Sequence, residues 1–84
     1  MKKITLFYLE NCPHCRKAQQ ILLKLLQEPR YQALKIEKVE EAKQPEIANQ
    51  YDYYYVPTFY VDDEKICEGI LSEKEIVEVL ERAL

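Results

Sequence analysis

The chain has 84 residues, 48% hydrophobic and 32% charged, with a formal net charge of -3; this supports one domain around one modest core, too little for separate catalytic and substrate domains. No basic cluster offers itself to a nucleic-acid backbone, and no segment approaches the roughly 18 consecutive apolar residues of a membrane span. The first apolar run, residues 4–9, is short for a secretory leader and leads into Glu10 and Asn11 instead of a small-residue cleavage site. The expectation is therefore a cytoplasmic monomer with neither nucleic acid nor membrane as partner.

Residues 3–9 (KITLFYL) are rich in β-branched and aromatic side chains, as in a strand buried on both faces, and Tyr8 reads as core. From Pro13 the period becomes helical: Ala18, Ile21, Leu22, Leu25 and Leu26 recur at spacings of three and four, until Pro29 ends the helix. Residues 33–39 (ALKIEKV) alternate loosely, as in a half-covered second strand. Pro45 suits the first turn of a short helix carrying Glu46, Ile47, Ala48 and Tyr51, of about two turns. Residues 58–62 (TFYVD), with Phe59 in the core, should turn at Asp63 and Glu64 and return through residues 65–68 (KICE) as an antiparallel hairpin. Ser72 and Glu75 form a capping box ahead of Ile76, Val77, Leu80 and Leu84. The order is β-α-β-α-β-β-α, a single α/β domain over residues 1–84. The one glycine, Gly69, leaves no glycine-rich loop to cradle a phosphate.

Chemistry concentrates at Cys12-Pro13-His14-Cys15, between the first strand and the first helix. Three cysteines, an odd number, in a reducing compartment argue against a purely structural disulfide. A structural zinc site needs four ligands, and beyond this pair only His14 and Cys67 are available, without a second Cys-x-x-Cys. A shared iron-sulfur cluster is a weaker rival still, so a reactive redox pair is the favoured reading. Pro13 is shaped for the first helical turn, which puts Cys12 at the N-cap where unpaired amides favour a thiolate. Lowering a thiol by about two pKa units takes roughly 2.7 kcal/mol, whereas a helix end typically supplies about 0.3 to 1. The balance is assigned to amide hydrogen bonds and to the imidazole of His14, which is expected to lower the Cys12 pKa. Cys12, the more exposed sulfur, would attack a disulfide, and Cys15 would resolve the mixed disulfide.

The CPHC motif at a helix start after the first strand, together with YVPT opening a later strand, resembles the thioredoxin superfamily. The likeness is greatest to its smallest members, the glutaredoxins and glutaredoxin-like thioredoxins, and it runs in element order along essentially the whole chain. It implies a thioredoxin fold, a four-stranded mixed sheet flanked by three helices, with Cys12 as nucleophile and Cys15 as resolving thiol. Pro57 matches the proline that this superfamily holds in the cis form against the cysteines, and Val56 would offer backbone groups to an extended substrate. The implied activity is thiol-disulfide oxidoreduction on disulfide-bearing proteins or small disulfides, without a metal or a tightly bound cofactor. A reductase or glutathione would be the electron donor, and glutathione is a candidate co-substrate.

The chain also departs from its relatives. Well-known thioredoxins carry a tryptophan before the first cysteine and a buried aspartate in the preceding strand; here Asn11 and Leu6 stand there. Glutaredoxins commonly have a basic residue shortly before that cysteine and a glycine pair with polar residues for glutathione, where this chain has Glu10 and CEGILS. An acid in place of a base is expected to disfavour the carboxylates of glutathione. The rivals are accordingly a glutathione-dependent glutaredoxin, and a redox-inert binding or metal-carrying module of the same fold. Arg16 and Lys17 lie where relatives often carry basic residues, and a solvated helix face accounts for them equally well. Of the consecutive Tyr53, Tyr54 and Tyr55, at least one must face solvent, and Tyr55, nearest the proline, is the candidate substrate contact. Cys67 reads as a small hydrophobe on the last strand.

Overall fold

In the computed structural model, which describes residues 1–84, strand β1 (Ile4–Tyr8) is fully buried from Ile4 to Phe7. A strand with no exposed face must sit inside a sheet with both sides covered. Accordingly β1 pairs parallel with β2 (Ile36–Glu40) and antiparallel with β3 (Thr58–Val61), which pairs antiparallel with β4 (Glu64–Glu68), giving the order β2-β1-β3-β4. The parallel neighbours need a crossover, which is α1 (Pro13–Leu25).

Alternation along the strands then sorts side chains into two layers. Ile4, Leu6, Phe59 and Val61 meet Ala18, Leu22 and Leu25 of α1 and Ile76, Val79, Leu80 and Ala83 of α3 (Glu73–Ala83) in the larger cluster. On the other face Phe7, Val39 and Tyr60 pack with Ala48 of α2 (Pro45–Ala48), and Tyr51, Tyr53 and Val56 lean against them. The capping box forms as expected: Ser72 Oγ accepts from Glu75 N at 3.2 Å, and the Glu75 carboxylate accepts from Ser72 N at 2.9 Å.

The expected boundaries shift where side chains are buried without regular structure. Helix α1 stops at Leu25, ahead of Pro29, and winds out through successive turns. β2 begins only at Ile36, because Leu34 is buried from a turn closed by its amide on Tyr31 O at 3.0 Å; its apolar position imitates strand alternation. α2 is a single turn, since Asn49 already caps it. The β3–β4 turn falls at Asp62 and Asp63, one residue earlier than expected. Asp62 adopts φ 51 and is held to Lys3 by two hydrogen bonds, N to O at 2.8 Å and Lys3 N to its carboxylate at 3.1 Å. Aspartate tolerates this left-handed conformation better than most residues. At the same end of the sheet Lys2 N donates to Ala83 O at 2.8 Å. No helix is long and apolar enough to cross a membrane.

Candidate active site

Antiparallel pairing fixes which loops share the other end of the sheet. Phe7 lies opposite Thr58, so the exit of β1 toward Cys12 runs beside the entry to β3 from Val56 and Pro57. The Val56-Pro57 peptide bond is cis, as the resemblance implied.

Cys12 is the N-cap of α1, with extended backbone at φ -100 and ψ 116, and its sulfur accepts from Cys15 N at 3.3 Å. Pro13 occupies the first helical turn, where its missing N–H costs nothing. One turn along, Cys15 points into the core and is fully buried, while Cys12 remains partly open; both are free thiols. Burial pushes the Cys12 thiol up, but this is outweighed by the Cys15 thiol, the amides of Cys15 and His14 and the Arg16 guanidinium, so its pKa lies below the ordinary value. Cys15 is pushed up to about 12 by burial, by the hydrogen bond to Cys12, by the charge on Cys12 and by Glu41. The helix start thus favours the charged form of Cys12, while burial disfavours that of Cys15.

The tuning differs in one respect from the sequence expectation. His14 acts on Cys12 through its backbone amide, while its imidazole is exposed, and the nearby positive side chain is Arg16. Arg16 is steered there by its own Nη1 donating to Glu10 O at 3.3 Å. Arg16→Ala should therefore raise the Cys12 pKa and His14→Ala should leave it nearly unchanged, as read by thiolate absorbance against pH. The reverse order would return the role to the imidazole.

Two carboxylates tie down the flanking loops. Glu40, at the end of β2, accepts from Ala42 N at 2.6 Å and from Glu10 N and Lys43 N at 3.3 Å each, fixing the approach to Cys12. Glu68, at the end of β4, accepts from Tyr54 N at 2.8 Å, Tyr55 N at 3.0 Å and Lys65 Nζ at 2.6 Å. Glu10, expected to repel anionic ligands, is ion-paired with Lys43, which offsets its charge.

Of the three tyrosines, Tyr53 turns inward, stacking on Phe7 at 4.9 Å and donating its hydroxyl to Glu41 at 2.6 Å. Tyr54 and Tyr55 are 79% and 67% exposed, so the open aromatic surface includes Tyr54 as well as the expected Tyr55. A groove of about 440 Å³, lined in part by Leu9, Glu41, Tyr53 and Tyr54, opens on the α2 side of this surface. Of Tyr55, Val56 and Pro57, only Val56 keeps backbone groups without a partner. Tyr55 N is held by Glu68, Tyr55 O accepts from Thr58 Oγ1, and Pro57 O accepts from Gly69 N at 2.9 Å. Cys67 is half-buried against the core, and burial, with Glu75 and Glu78 nearby, pushes its thiol up to about 12. No three histidine, cysteine or acidic side chains converge as a metal site.

Lys65, then the Tyr54 and Tyr55 amides, hold the Glu68 carboxyl down at about 2, against an ordinary 4.5. A depressed carboxylate stabilises the fold fully above the unfolded value and loses that contribution as pH falls through the folded one. The stability advantage of the wild type over Glu68→Gln should be constant above pH about 4.5 and shrink steadily as pH falls toward about 2. Urea unfolding at a series of pH values measures it, and a difference that persists in acid would refute the assignment.

The fold and the helix-capping cysteine pair agree with the relationships found by comparison. The chain belongs to the thioredoxin domain family, whose pattern it matches over residues 2–81. None of the curated proteins matches it. Among solved structures it is similar to the thioredoxin of Fasciola hepatica, with a TM-score of 0.76 and 20% identity, covering 98% of this chain and 80% of that one. The germline-specific thioredoxin Deadhead of Drosophila melanogaster gives a TM-score of 0.75 at 16% identity over 98% and 80% of the two chains. Mitochondrial thioredoxin 3 of Saccharomyces cerevisiae gives 0.74 at 23% identity over 96% and 77%. The four-stranded mixed sheet with three helices is thus a thioredoxin fold, and the chain is a thioredoxin-like redox protein.

Proposed function

We propose that the chain is a dithiol-disulfide oxidoreductase that reduces or exchanges disulfides of proteins or small molecules through Cys12 and Cys15. The observation that carries this reading is the division of labour between the two sulfurs: Cys12 at the helix N-cap with its pKa lowered, Cys15 buried one turn behind it. The Cys12 thiolate attacks one sulfur of the substrate disulfide, forming a mixed disulfide and releasing the other sulfur as a thiolate. At that point Cys12 carries no charge and is a much weaker acceptor for Cys15, so two of the causes that held the Cys15 proton are lost or weakened. Cys15 gives up its proton, which the released substrate thiolate takes, attacks Cys12 Sγ and expels the second substrate thiolate. The substrate gains two electrons, the protein is left with a Cys12–Cys15 disulfide, and a reductase or glutathione returns it to the dithiol.

Val56 supplies the substrate contact in this reading. Its free N–H and C=O, at the entry to β3, suit strand-like pairing with an extended peptide, and Tyr54 and Tyr55 offer contact area beside it. In this reading the protein works as a monomer in the cytoplasm, since the active surface is small enough for one copy to present to other proteins.

The test is an equilibrium titration in glutathione buffers, with alkylation of free thiols and intact-mass readout. Cooperative loss of two hydrogens at Cys12 and Cys15 near thioredoxin's potential, about -270 mV, is the result expected of a reductant. A much less negative value would mark an oxidase or isomerase, and a dominant glutathione adduct on Cys12 a glutaredoxin. A pair that stays reduced throughout would end the oxidoreductase reading.

A further inference from the structure

We propose that Glu68 is a positioning residue of the redox site, a built-in anion whose carboxylate gathers the Tyr54 and Tyr55 amides and so sets the backbone of Val56 for the substrate. The inference rests on the oxidoreductase reading above and assigns a residue that the two-sulfur chemistry does not include.

Two consecutive N–H groups converging on one point form an anion site. In this chain one oxygen of Glu68 fills it, at 2.8 and 3.0 Å, while the other takes Lys65 Nζ at 2.6 Å. These are charge-assisted bonds, and three donors on one carboxylate fix its position. Lys65 reaches further, its Nζ lying 5.7 Å from the centre of the Tyr54 ring, so the same pair also orients an exposed aromatic side chain. The next residue, Gly69, has φ 89 and donates to Pro57 O at 2.9 Å. Glu68 and Gly69 together therefore hold the segment on both sides of Val56 from a single point on β4, while leaving the amide and carbonyl of Val56 open. Without the carboxylate, Tyr54 N and Tyr55 N lose their partner and the turn loses what defines it. The loss should fall on substrates that use the Val56 edge and spare those that touch only Cys12.

The experiment compares the wild type, Glu68→Gln and Glu68→Ala on two substrates, a disulfide-bonded peptide and bis(2-hydroxyethyl) disulfide, with the Cys12 pKa measured alongside. For Glu68→Gln the expected result is a roughly tenfold fall in kcat/KM on the peptide, carried by KM. The small disulfide and the Cys12 pKa should be unchanged. In Glu68→Ala, added acetate should restore part of the peptide activity by entering the vacated amide pair, whereas chloride at equal ionic strength should not. Equal losses on both substrates, no loss on the peptide, or no response to acetate would each overturn the proposal; should Glu68→Ala fail to fold, the Glu68→Gln comparison decides alone. A wild type inactive on both disulfides would instead remove the oxidoreductase reading itself.

Discussion

Replacing Cys15 with serine is expected to turn a transient covalent species into a stable one. Cys12 keeps its N-cap position and most of the donors that hold its pKa down, including the amides of residues 14 and 15 and the Arg16 guanidinium. Attack on a substrate disulfide should therefore still occur. The second step has no nucleophile, since a serine hydroxyl is far too weakly acidic to displace a thiolate, and Cys67 lies on β4, half-buried against the core, instead of one helical turn from Cys12 as Cys15 does. The Cys15→Ser protein mixed with a disulfide substrate should accumulate one substrate half per chain, seen as an intact-mass increase that dithiothreitol removes. Multiple turnover without an added thiol should fall to background. Cys12→Ser should give neither adduct nor turnover. If Cys15→Ser instead turned over at the wild-type rate with glutathione present, the mixed disulfide would be resolved from solution, and the single-cysteine glutaredoxin route would be the correct one.

The second large effect concerns stability. Phe7 is fully buried on the smaller face of the sheet, with ring centroids 4.7 Å from Tyr51, 4.9 Å from Tyr53 and 5.8 Å from Tyr60. Truncating such a side chain removes its transfer energy and leaves a cavity, a cost of about 3 to 5 kcal/mol. For a domain of this size each kcal/mol lowers the melting temperature by about 4 to 8 °C, so Phe7→Ala should melt roughly 12 to 40 °C below the wild type. Two of the three tyrosines around it are tied elsewhere, Tyr60 through its hydroxyl to Asp52 O at 2.6 Å and Tyr53 to Glu41 at 2.6 Å. They have little freedom to collapse into the space, which argues for the upper part of the range. Calorimetry of the two proteins decides it, and a cost below about 1 kcal/mol would mean that this face is not a true core.

The parts of this protein that were readable from its sequence are those whose signal is local. Helical spacing from Pro13, the Ser72 and Glu75 box, and the order of elements are each written within a few neighbouring residues, and each is present in the fold. The pairing of the cysteines with a helix N-terminus was legible for the same reason. What escaped depends on residues far apart in the chain. The Glu68 contacts join positions 13 and 14 residues away, and nothing in CEGILS distinguishes a carboxylate that binds amides from one that faces solvent. Leu34 shows the opposite failure, a buried apolar residue whose place in a turn cannot be told from a place in a strand by spacing alone. Arg16 was visible but ambiguous, because a basic residue on an exposed helix face has the same appearance whether or not a thiolate lies within its field.

The hydrogen bond from Lys2 to Ala83 has a practical meaning for building with this domain. Both ends of the described chain meet at the pole of the central strand opposite Cys12, next to the tight hairpin at Asp62 and Asp63. A fusion partner attached at either end would hang away from the groove and leave the sulfurs accessible. A short linker could join residues 1 and 84, with new ends opened in that hairpin, and the redox face would lie outside the rearranged region. The architecture thus separates a handle from a working surface.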